Sequence, residues 1–415
     1  MKIDSLKISN FRCFGEEPTQ ILFEDSITAF VGNNGSGKTA ILSALAKLFG
    51  ANQSQRVVRK ADFHIPAAGQ DLVPDTQLRI DCCFSFPQLA PDAENELRDG
   101  AVPEFFHHMV AGEGGEPLRA RIQLRATWVE DGTPEGTVEE EVRWIRSFDE
   151  QYVWDECQKV HPSERGLIQL VYVPALRNAS DQVTALLKGR LWQAALWSQE
   201  LRRVASNASN RVQDQFDAEE PAEFIRQRLQ RRWEEVHQAS TDATPSLKLI
   251  EGDIAELVRR AEFVFFPDEA GRARRLEDLS DGQRSLFHIA LTAAILEIER
   301  DAIAVAVDDS AFDQDKLRRV HLTILAIEEP ENSLSPFFLS RIMLQARSIG
   351  GMEGAQVLIS SHSASILARI NAEEVRYCRV DQTTRESSVR SLFLPDRETE
   401  DGKFVRLAVK AYPEI

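Results

Sequence analysis

The chain has 415 residues, and 43% of them are hydrophobic, which is enough to bury the cores of two or three domains. Its formal net charge is −17, so any contact with nucleic acid must come from a local basic patch and not from the overall field. The five cysteines show no C-x-x-C spacing, which argues against a disulfide framework and against a zinc site.

The sequence shows no pattern of a secreted or membrane-spanning protein. The N-terminal segment carries Asp4, Glu16 and Glu17 and lacks the apolar core of a signal peptide. The longest nearly apolar stretch, Leu286 to Leu296, is too short to cross a bilayer. We therefore expect a cytoplasmic protein whose cysteines are reduced thiols.

The first segment, Met1 to Phe49, predicts strand, strand, glycine-rich loop and helix. In "AFVGNNGSGKTAILSALAKLF" an apolar strand runs into a loop that ends in Lys-Thr, followed by apolar residues at helical spacing. The glycines allow a tight turn in which several N–H groups and the helix start face one anion, which indicates a site for the phosphates of a nucleotide. Such a loop alone is compatible with a kinase, a GTPase or an ABC-type ATPase. The predicted phosphate-binding residues are Asn33, Asn34, Gly35, Ser36, Gly37, Lys38 and Thr39. Lys38 is expected to contact the β- and γ-phosphates, and the Thr39 hydroxyl to hold Mg²⁺.

Three runs with a period of two follow the predicted helix. They are "QLRIDCCFSF", "LRARIQLRATWVE" and "TVEEEVRWIRSF", and Asp131, Gly132 and Pro134 supply turn chemistry between the last two. This alternation is typical of half-buried antiparallel strands.

Between about Asn178 and Ala261 the pattern changes to long charged helices, including "RLWQAALWSQELRRV" and "AEFIRQRLQRRWEEVHQ". Trp197, Leu201 and Val204 recur at helical spacing there, which indicates an apolar stripe that contacts either a second subunit or the core of its own chain. Basic clusters at Arg226 to Arg232 and Arg272 to Arg275 are candidates for contact with DNA phosphates, although solvated helix faces have the same composition.

From about Phe263 to Phe393 the sequence returns to short apolar strands that alternate with helices, as in a parallel α/β sheet. "LTILAIEEPENSLSP" predicts a strand that places Glu328 and Glu329 at its C-terminal end, where ligands of open α/β sheets bind. We expect Glu328 to hold Mg²⁺, directly or through water, and Glu329 to orient and deprotonate the attacking water.

Two further motifs belong to the same segment. "LEDLSDGQRSLFHIALTAAI" has a Leu-Ser-x-Gly-Gln pattern at the start of an apolar helix, and such a helix start is an anion site. "AQVLISSHSASIL" predicts an apolar strand followed by His362, which we expect within reach of the γ-phosphate.

The order of these motifs resembles the ABC-type ATPase superfamily, which includes SMC and RecF proteins. The opening "LKISNFRCF" is similar to the first strand of the SMC/RecF group, and this resemblance suggests that Arg12 approaches the nucleotide. It also implies a head-to-tail dimer with two ATP molecules at the interface, in which Ser280, Gly282 and Gln283 bind the nucleotide of the partner subunit. One departure is Asp281, which occupies the position of the usual first glycine of the signature.

The segments "YVPALR", "AEFVFFPDEAGRARRLEDLSDGQRSLFHIALTAAILEIER" and "EEPENSLSPFFLSRI" resemble the ATPase half of the OLD (overcoming lysogenization defect) nuclease family. Members join such an ATPase to a C-terminal Toprim nuclease domain, and several act in phage exclusion or defence. The resemblance implies an ATPase that acts in DNA metabolism or phage defence, with DNA and a Toprim domain or partner protein as further expectations. "LAVKAYPEI" lies about where a Toprim domain would begin, so we expect this chain alone to hydrolyse ATP and not to cut DNA.

A formal match to Toprim carboxylates exists in Glu251, Asp313 and Asp315, and we interpret it as accidental because the signature helix separates the two pieces. Two candidates are open for the Q-loop, the segment that in such ATPases follows the first helix: Gln70, or Asp62 and His64 in "KADFHIP".

The sequence therefore predicts an α/β protein of the ABC-type P-loop ATPase class, with a mixed or parallel central sheet, an antiparallel β subdomain and a helical insertion. The expected boundaries are 1–177 for the first part of the ATPase domain, 178–261 for the insertion and 262–415 for the second part. A rival function is an ATP-sensing DNA clamp with negligible turnover, although a glutamate and not a glutamine at position 329 favours hydrolysis.

Overall fold

The computed structural model describes residues 1–66, 71–87, 110–111, 118–174, 191–236, 246–249, 253–266, 271–317, 320–332, 336–392 and 394–411. The chain divides into two compact units. The first comprises Met1–Ala179, Ser280–Leu296 and Arg318–Ile415, and the second comprises Ser180–Leu279 and Glu297–Leu317.

The strands follow in chain order: β1 Lys2–Ser9, β2 Thr19–Leu22, β3 Ile27–Val31, β4 Gln77–Ser85, β5 Val110–Ala111, β6 Arg119–Val129, β7 Thr137–Trp144, β8 Gln158–Lys159, β9 Ile168–Val173, β10 Val264–Phe265, β11 Arg274–Arg275, β12 Leu322–Glu328, β13 Ala355–Ser361, β14 Val375–Val380 and β15 Ser387–Ser391. The helices are α1 Lys38–Phe49, α2 Gln53–Arg56, α3 Pro162–Arg165, α4 Trp192–Ala194, α5 Gln199–Asp217, α6 Glu220–Val236, α7 Ile254–Arg259, α8 Asp281–Ala304, α9 Gln314–Leu317, α10 Pro336–Gly350 and α11 Glu400–Ala411. None of the described helices has the length and apolar character that crossing a lipid bilayer requires.

An antiparallel sheet in the first unit has the strand order β2-β1-β4-β6-β7-β8, with β5 beside β6. The period of two in the sequence places one apolar face of β4 and β6 in the core, where Ile80 and Leu124 are paired residues with no exposed surface. This confirms the antiparallel strands predicted from "QLRIDCCFSF", "LRARIQLRATWVE" and "TVEEEVRWIRSF".

A second sheet in the same unit has the order β15-β14-β3-β13-β12-β9. All of its described neighbours are parallel except β14 and β15. Strands β3 and β13 are buried along their whole length, as expected for parallel strands that are covered on both faces. The mixed α/β fold with a parallel sheet and an antiparallel β subdomain is therefore confirmed. The sequence analysis did not predict the short strand β2, which lies between β1 and β3, or strand β9, which pairs with β12 in the parallel sheet.

Helix α1 and one buried glutamine link the two sheets. The apolar side of α1 lies in a core shared with both sheets, and Phe49 meets Phe84 of β4 edge to face, with ring centroids 5.8 Å apart. Gln356 of β13 has no exposed surface and bonds the backbone of Ile3 twice, accepting from its N–H at 2.9 Å and donating to its C=O at 3.0 Å. The position of the antiparallel sheet is thus set by apolar packing and by a fully satisfied buried amide.

The second unit contains the charged helices α5 and α6. The single helix predicted through "RLWQAALWSQELRRV" is wrong, because α4 ends at Ala194 and α5 begins at Gln199. Ser198 is the N-cap of α5, and its hydroxyl accepts a hydrogen bond from the Leu201 N–H at 3.2 Å, which favours a new helix start at this position. Trp197 therefore precedes the helix and does not share its face with Leu201.

We predict that Phe84→Ala lowers the free energy of unfolding by about 3–5 kcal/mol, because the ring fills the core between β4 and α1 and leaves a cavity when it is removed. The matched control is Phe404→Ala in α11, whose side chain is 70% exposed. The control should change stability by less than about 0.5 kcal/mol. Urea unfolding followed by circular dichroism measures both, and equal shifts for the two variants would contradict this account of the core.

Candidate nucleotide site

The candidate site lies at the C-terminal ends of adjacent parallel strands. The order β3-β13-β12-β9 places the loop after β3 beside the segment after β13, and places the end of β12 next to both β13 and β9. Because the carboxyl ends of parallel strands meet at one edge, the glycine-rich loop, His362 and the glutamate pair come to the same edge of the sheet.

The backbone of the glycine-rich loop needs its glycines. A Cβ at Gly32 would lie 2.2 Å from the carbonyl oxygen of Cys378, so a side chain does not fit there. Gly35 and Gly37 have φ values of 80° and 97°, in the left-handed region that favours glycine. A Cβ at Gly35 would meet no heavy atom within 4 Å, so the tip of the loop faces open space. Asn33 and Asn34 are exposed at the same tip.

The polar groups of the loop fit a polyphosphate. The Lys38 ammonium is held inside the curl, where it donates to the carbonyl oxygens of Gly32 at 2.7 Å and Asn33 at 2.9 Å. The Ser36 hydroxyl is buried and has no hydrogen-bond partner. Helix α1 has no side-chain cap and no acidic residue in its first turn, so its first N–H groups are available to an anion. Burial lowers the pKa of Lys38 below its usual value, although nearby carboxylates act in the opposite direction.

Glu328 joins the loop to the neighbouring strands. Its Oε1 accepts a short hydrogen bond from the Thr39 hydroxyl, and its Oε2 accepts one from the Tyr172 hydroxyl at 2.6 Å. Burial, and next the charge of Glu328, raise the pKa of Tyr172 above its usual value, so the phenol keeps its proton and is the donor. Tyr172 was not predicted as a site residue, and it acts here because β9 pairs with β12.

The oxygen atoms at this point fit a magnesium ion. Among the described residues, no group of three or more histidine, cysteine and acidic side chains is arranged to hold a metal. A magnesium ion does not require such a group, since it commonly takes one or two protein oxygens together with phosphate oxygens and water. The hydroxyl of Thr39 and the carboxylate of Glu328, already in contact, are a suitable pair.

Glu329 is held in an unusual backbone conformation beside His362. Its φ is 45°, which is uncommon for a residue with a side chain, and its N–H donates to the carbonyl oxygen of Ser360 at 2.8 Å. Its carboxylate Oε2 accepts from the Asn332 side-chain amide at 2.6 Å, and its Oε1 lies 3.3 Å from Nδ1 of His362. The two predicted catalytic residues are therefore neighbours, and Asn332, which the sequence reasoning missed, orients one of them.

Glu331 is the second residue of the segment that sequence reasoning missed. It is the third glutamate of "EEPEN", and its side chain is only 11% exposed. Its Oε1 accepts hydrogen bonds from the Ser361 hydroxyl and from the N–H groups of His362 and Ser363. The sequence did offer a signal for Glu331, since it follows the predicted catalytic glutamates closely. Its partners could not be predicted, because they lie 30 residues and more further along the chain.

Arg12 pairs with an acidic residue in this structure. Its Nε and Nη2 donate to Oδ1 of Asp62 at 3.0 and 2.9 Å, and Oδ2 of Asp62 lies 2.7 Å from the Lys47 ammonium. Nδ1 of His64 lies 2.7 Å from the carbonyl oxygen of Arg12. Both Asp62 and His64 thus support the Arg12 loop, whereas the other Q-loop candidate, Gln70, lies outside the described residues. The role of Arg12 at the nucleotide and the Q-loop assignment stay predictions.

The signature residues form the start of α8. The Ser280 hydroxyl accepts from the Gln283 N–H at 3.3 Å and lies 3.2 Å from the Gln283 side-chain oxygen, while Gly282 is buried. Asp281 forms an ion pair with Arg284, one turn further along the helix. Asp281 also lines a small cavity with Glu328 and Glu329 of its own chain. The contact of Ser280, Gly282 and Gln283 with a partner's nucleotide stays a prediction.

The formal Toprim match is only partly described. Glu251 lies outside the described residues, and Asp313 in the second unit forms an ion pair with Lys316 at 3.0 Å at the start of α9. The hydrogen bond that the Lys316 side chain donates to Asp313 is also the main reason that the pKa of Asp313 lies below its usual value. Asp313 therefore has a local structural partner, in keeping with the interpretation of the match as accidental.

Two protein-family models match the sequence. Residues 1–109 match a family described as "AAA ATPase domain". Residues 136–368, which are more than half of the chain, match a family described as "AAA domain, putative AbiEii toxin, Type IV TA system". No curated protein matches the sequence significantly.

Solved structures of SMC head domains are distantly similar to the chain. The SMC head domain from Thermotoga maritima is 15% identical with a TM-score of 0.40, and the match covers 95% of this chain and 100% of that chain. The SMC head bound to the C-winged helix domain of ScpA is 14% identical with a TM-score of 0.45, over 95% of this chain and 99% of that chain.

We predict that Asp62→Asn destabilises the protein by roughly 3 kcal/mol near pH 7, because it leaves the buried Lys47 ammonium without its carboxylate. Burial raises the pKa of Asp62, but hydrogen bonds from Lys47 and from the Arg59 N–H outweigh it, so the folded-state pKa lies below the usual value. The stabilisation is therefore complete well above the unfolded-state pKa of about 3.9 and is lost as the pH falls through the folded-state pKa.

Urea unfolding of wild type and Asp62→Asn at a series of pH values measures this difference. The control is Asp155→Asn, because Asp155 lies 3.7 Å from Arg143 but its side chain is 90% exposed. A difference between wild type and Asp62→Asn that does not shrink below pH about 4 would contradict the assigned sign.

Proposed function

This chain belongs to the family described as "AAA domain, putative AbiEii toxin, Type IV TA system", and on that premise we propose that it hydrolyses ATP with Mg²⁺. One observation carries the proposal. The last residue of the glycine-rich motif, Thr39, is hydrogen-bonded to the strand-end residue Glu328, and the next residue, Glu329, faces His362. Binding of phosphates and activation of water are thus available at one edge of one sheet.

In the proposed mechanism the loop binds the phosphates first. Lys38 turns from the loop carbonyls to the β- and γ-phosphates, and the free N–H groups of α1 face their oxygens. Thr39 and Glu328 hold Mg²⁺, which when bound neutralises phosphate charge and aligns the γ-phosphate for attack. Tyr172 fixes one oxygen of Glu328, so the other oxygen keeps its direction toward Thr39.

Water is activated by Glu329 in this proposal. Its carboxylate is oriented by Asn332 on one oxygen and faces His362 with the other. Glu329 accepts the proton of the attacking water, and His362, with both ring nitrogens protonated and Nδ1 facing Glu329, donates a hydrogen bond from Nε2 to the γ-phosphate oxygen on which charge grows. The backbone of Glu329, one residue beyond the end of β12, is in the left-handed region, with a φ of 45°.

We further propose that the chain is the ATPase module of an OLD-type nuclease and closes as a head-to-tail dimer on DNA. The motif order and the quoted segments support this proposal. The ion pair of Asp281 with Arg284 offsets the extra negative charge of Asp281, which makes the signature compatible with a partner's γ-phosphate. In α6 and β11 the basic clusters are partly paired, Arg226 with Glu223 and Arg275 with Glu262.

We predict that Lys38→Ala abolishes ATP binding, whereas Glu329→Gln keeps binding and lowers the rate of hydrolysis by about 100-fold or more, since proton transfer by a positioned base contributes about 10²–10⁴-fold. Fluorescent-nucleotide titration measures binding, and a phosphate-release assay with and without DNA measures turnover. Glu139→Gln, at an exposed position of β7, is the matched control and should behave as wild type. Normal phosphate release by Glu329→Gln would remove Glu329 as the base, and a wild type that binds DNA with ATP but releases no phosphate would favour the clamp.

We predict that Glu329→Gln with ATP and Mg²⁺ doubles its mass in multi-angle light scattering, because ATP is trapped between two subunits. Ser280→Arg should block this increase by placing a bulky side chain where the partner's phosphate is expected. Ser391→Arg, on the exposed edge strand β15, is the control and should leave the increase unchanged. A monomer under every condition would contradict the shared active site.

A further inference from the structure

Glu331 lies two residues after the proposed base and contacts the segment that carries His362. Its Oε1 accepts three hydrogen bonds from the end of β13 and the two residues that follow it: from the Ser361 hydroxyl at 2.6 Å, the His362 N–H at 3.0 Å and the Ser363 N–H at 3.2 Å. One carboxylate oxygen therefore binds the backbone N–H groups on both sides of the His362 α-carbon. No other part of the described chain is shown bonding the His362 N–H.

The same carboxylate also faces the ring of His362. Nδ1 of His362 lies 3.5 Å from Oε1 of Glu331 and 3.3 Å from Oε1 of Glu329. With Nδ1 facing these two carboxylates, Nε2 is the nitrogen that is left for a phosphate oxygen, and both nitrogens donate at once only when the ring carries two protons. Backbone and ring of His362 are thus both oriented by the segment that contains the base.

The second oxygen of Glu331 distinguishes it from an ordinary cap. Oε2 is buried and makes no hydrogen bond, although an unsatisfied buried carboxylate oxygen costs free energy. A serine or asparagine would cap the two N–H groups without this cost. Stability of the loop alone is therefore a poor account of a glutamate here.

We propose that Glu331 is a positioning residue that acts through His362, a role that rests on the proposed ATP hydrolysis. It ties the end of β13 to the segment after β12, so the hydrogen-bond donor to the γ-phosphate and the base for water move as one unit. Because hydrolysis requires both groups in register with the phosphate, a displacement of His362 by about 1 Å is enough to lower the rate about 100-fold.

The test is a double-mutant cycle in the full chain with Glu331→Ala, His362→Ala and the double variant. We expect Glu331→Ala to lower kcat about 10- to 100-fold, while KM and the Kd for ATP stay within about twofold of wild type. In the His362→Ala background, Glu331→Ala should produce no further loss, because the group through which it acts is already absent. Glu331→Gln should recover kcat to within about fivefold of wild type, since its amide oxygen accepts the same hydrogen bonds more weakly.

Glu374→Ala is the matched structural control. Glu374 also accepts a backbone N–H, that of Asn371 at 2.7 Å, and it pairs with Arg347 at 2.9 Å, outside the proposed machinery. It should lower the melting temperature and leave kcat unchanged.

The possible outcomes separate two failures. If Glu331→Ala costs the same factor with and without His362, or lowers only the melting temperature and ATP affinity, the positioning role is overturned while hydrolysis stands. If the wild type releases no phosphate, the proposed function fails and the role of Glu331 fails with it.

Discussion

The hydrogen bond between the Thr39 hydroxyl and the Glu328 carboxylate is the contact on which the site depends. It joins residues that are 289 positions apart, one at the start of α1 and the other at the end of β12. The two side chains meet in a sheet where β13 lies between β3 and β12 and all three strands run parallel. The order of the sheet is therefore a precondition for the chemistry.

Several carboxylates and one buried lysine lie around this contact, and these charges suit a ligand that consists of a metal cation and phosphate anions. The carboxylates of Glu328, Glu329 and Glu331 lie on one short segment, and burial already lowers the pKa of Lys38. A metal ion relieves the repulsion among the carboxylates, and phosphates give the lysine and the α1 N–H groups their partners. The metal ion thus offsets the carboxylate repulsion, and the phosphates offset the free-energy cost of a buried lysine and unpaired N–H groups.

The antiparallel sheet contacts both α1 and the parallel sheet that carries the candidate site. Arg12, in the loop after β1, and Lys47, on α1, share the buried carboxylate of Asp62, while Gln356 bonds β1 to β13. The two sheets are therefore connected by apolar packing through Phe49 and Phe84 and also by polar groups that are satisfied only in one arrangement.

The sequence by itself determined the glycine-rich loop, the strands with a clear period of two, the apolar strands that end at Glu328 and before His362, and the helix that starts at the signature. These features are local, since backbone turns, alternation and helix starts are decided by residues a few positions apart. The helix break at Ser198 was missed because a single N-cap hydrogen bond outweighs the average helical pattern around it.

Only the tertiary structure decided which strand ends are neighbours. Tyr172 and Asn332 carried no sequence signal for a site role, and the position of Glu331 after the glutamate pair did not show which residue it contacts. Tyr172 reaches Glu328 across the β9–β12 pair, and Glu331 reaches His362 across the β12–β13 pair. The physical reason is that strand order in a parallel sheet follows from how the helices and the second sheet cover its faces. That packing sums many weak contacts over the whole unit, and no local stretch of sequence records it.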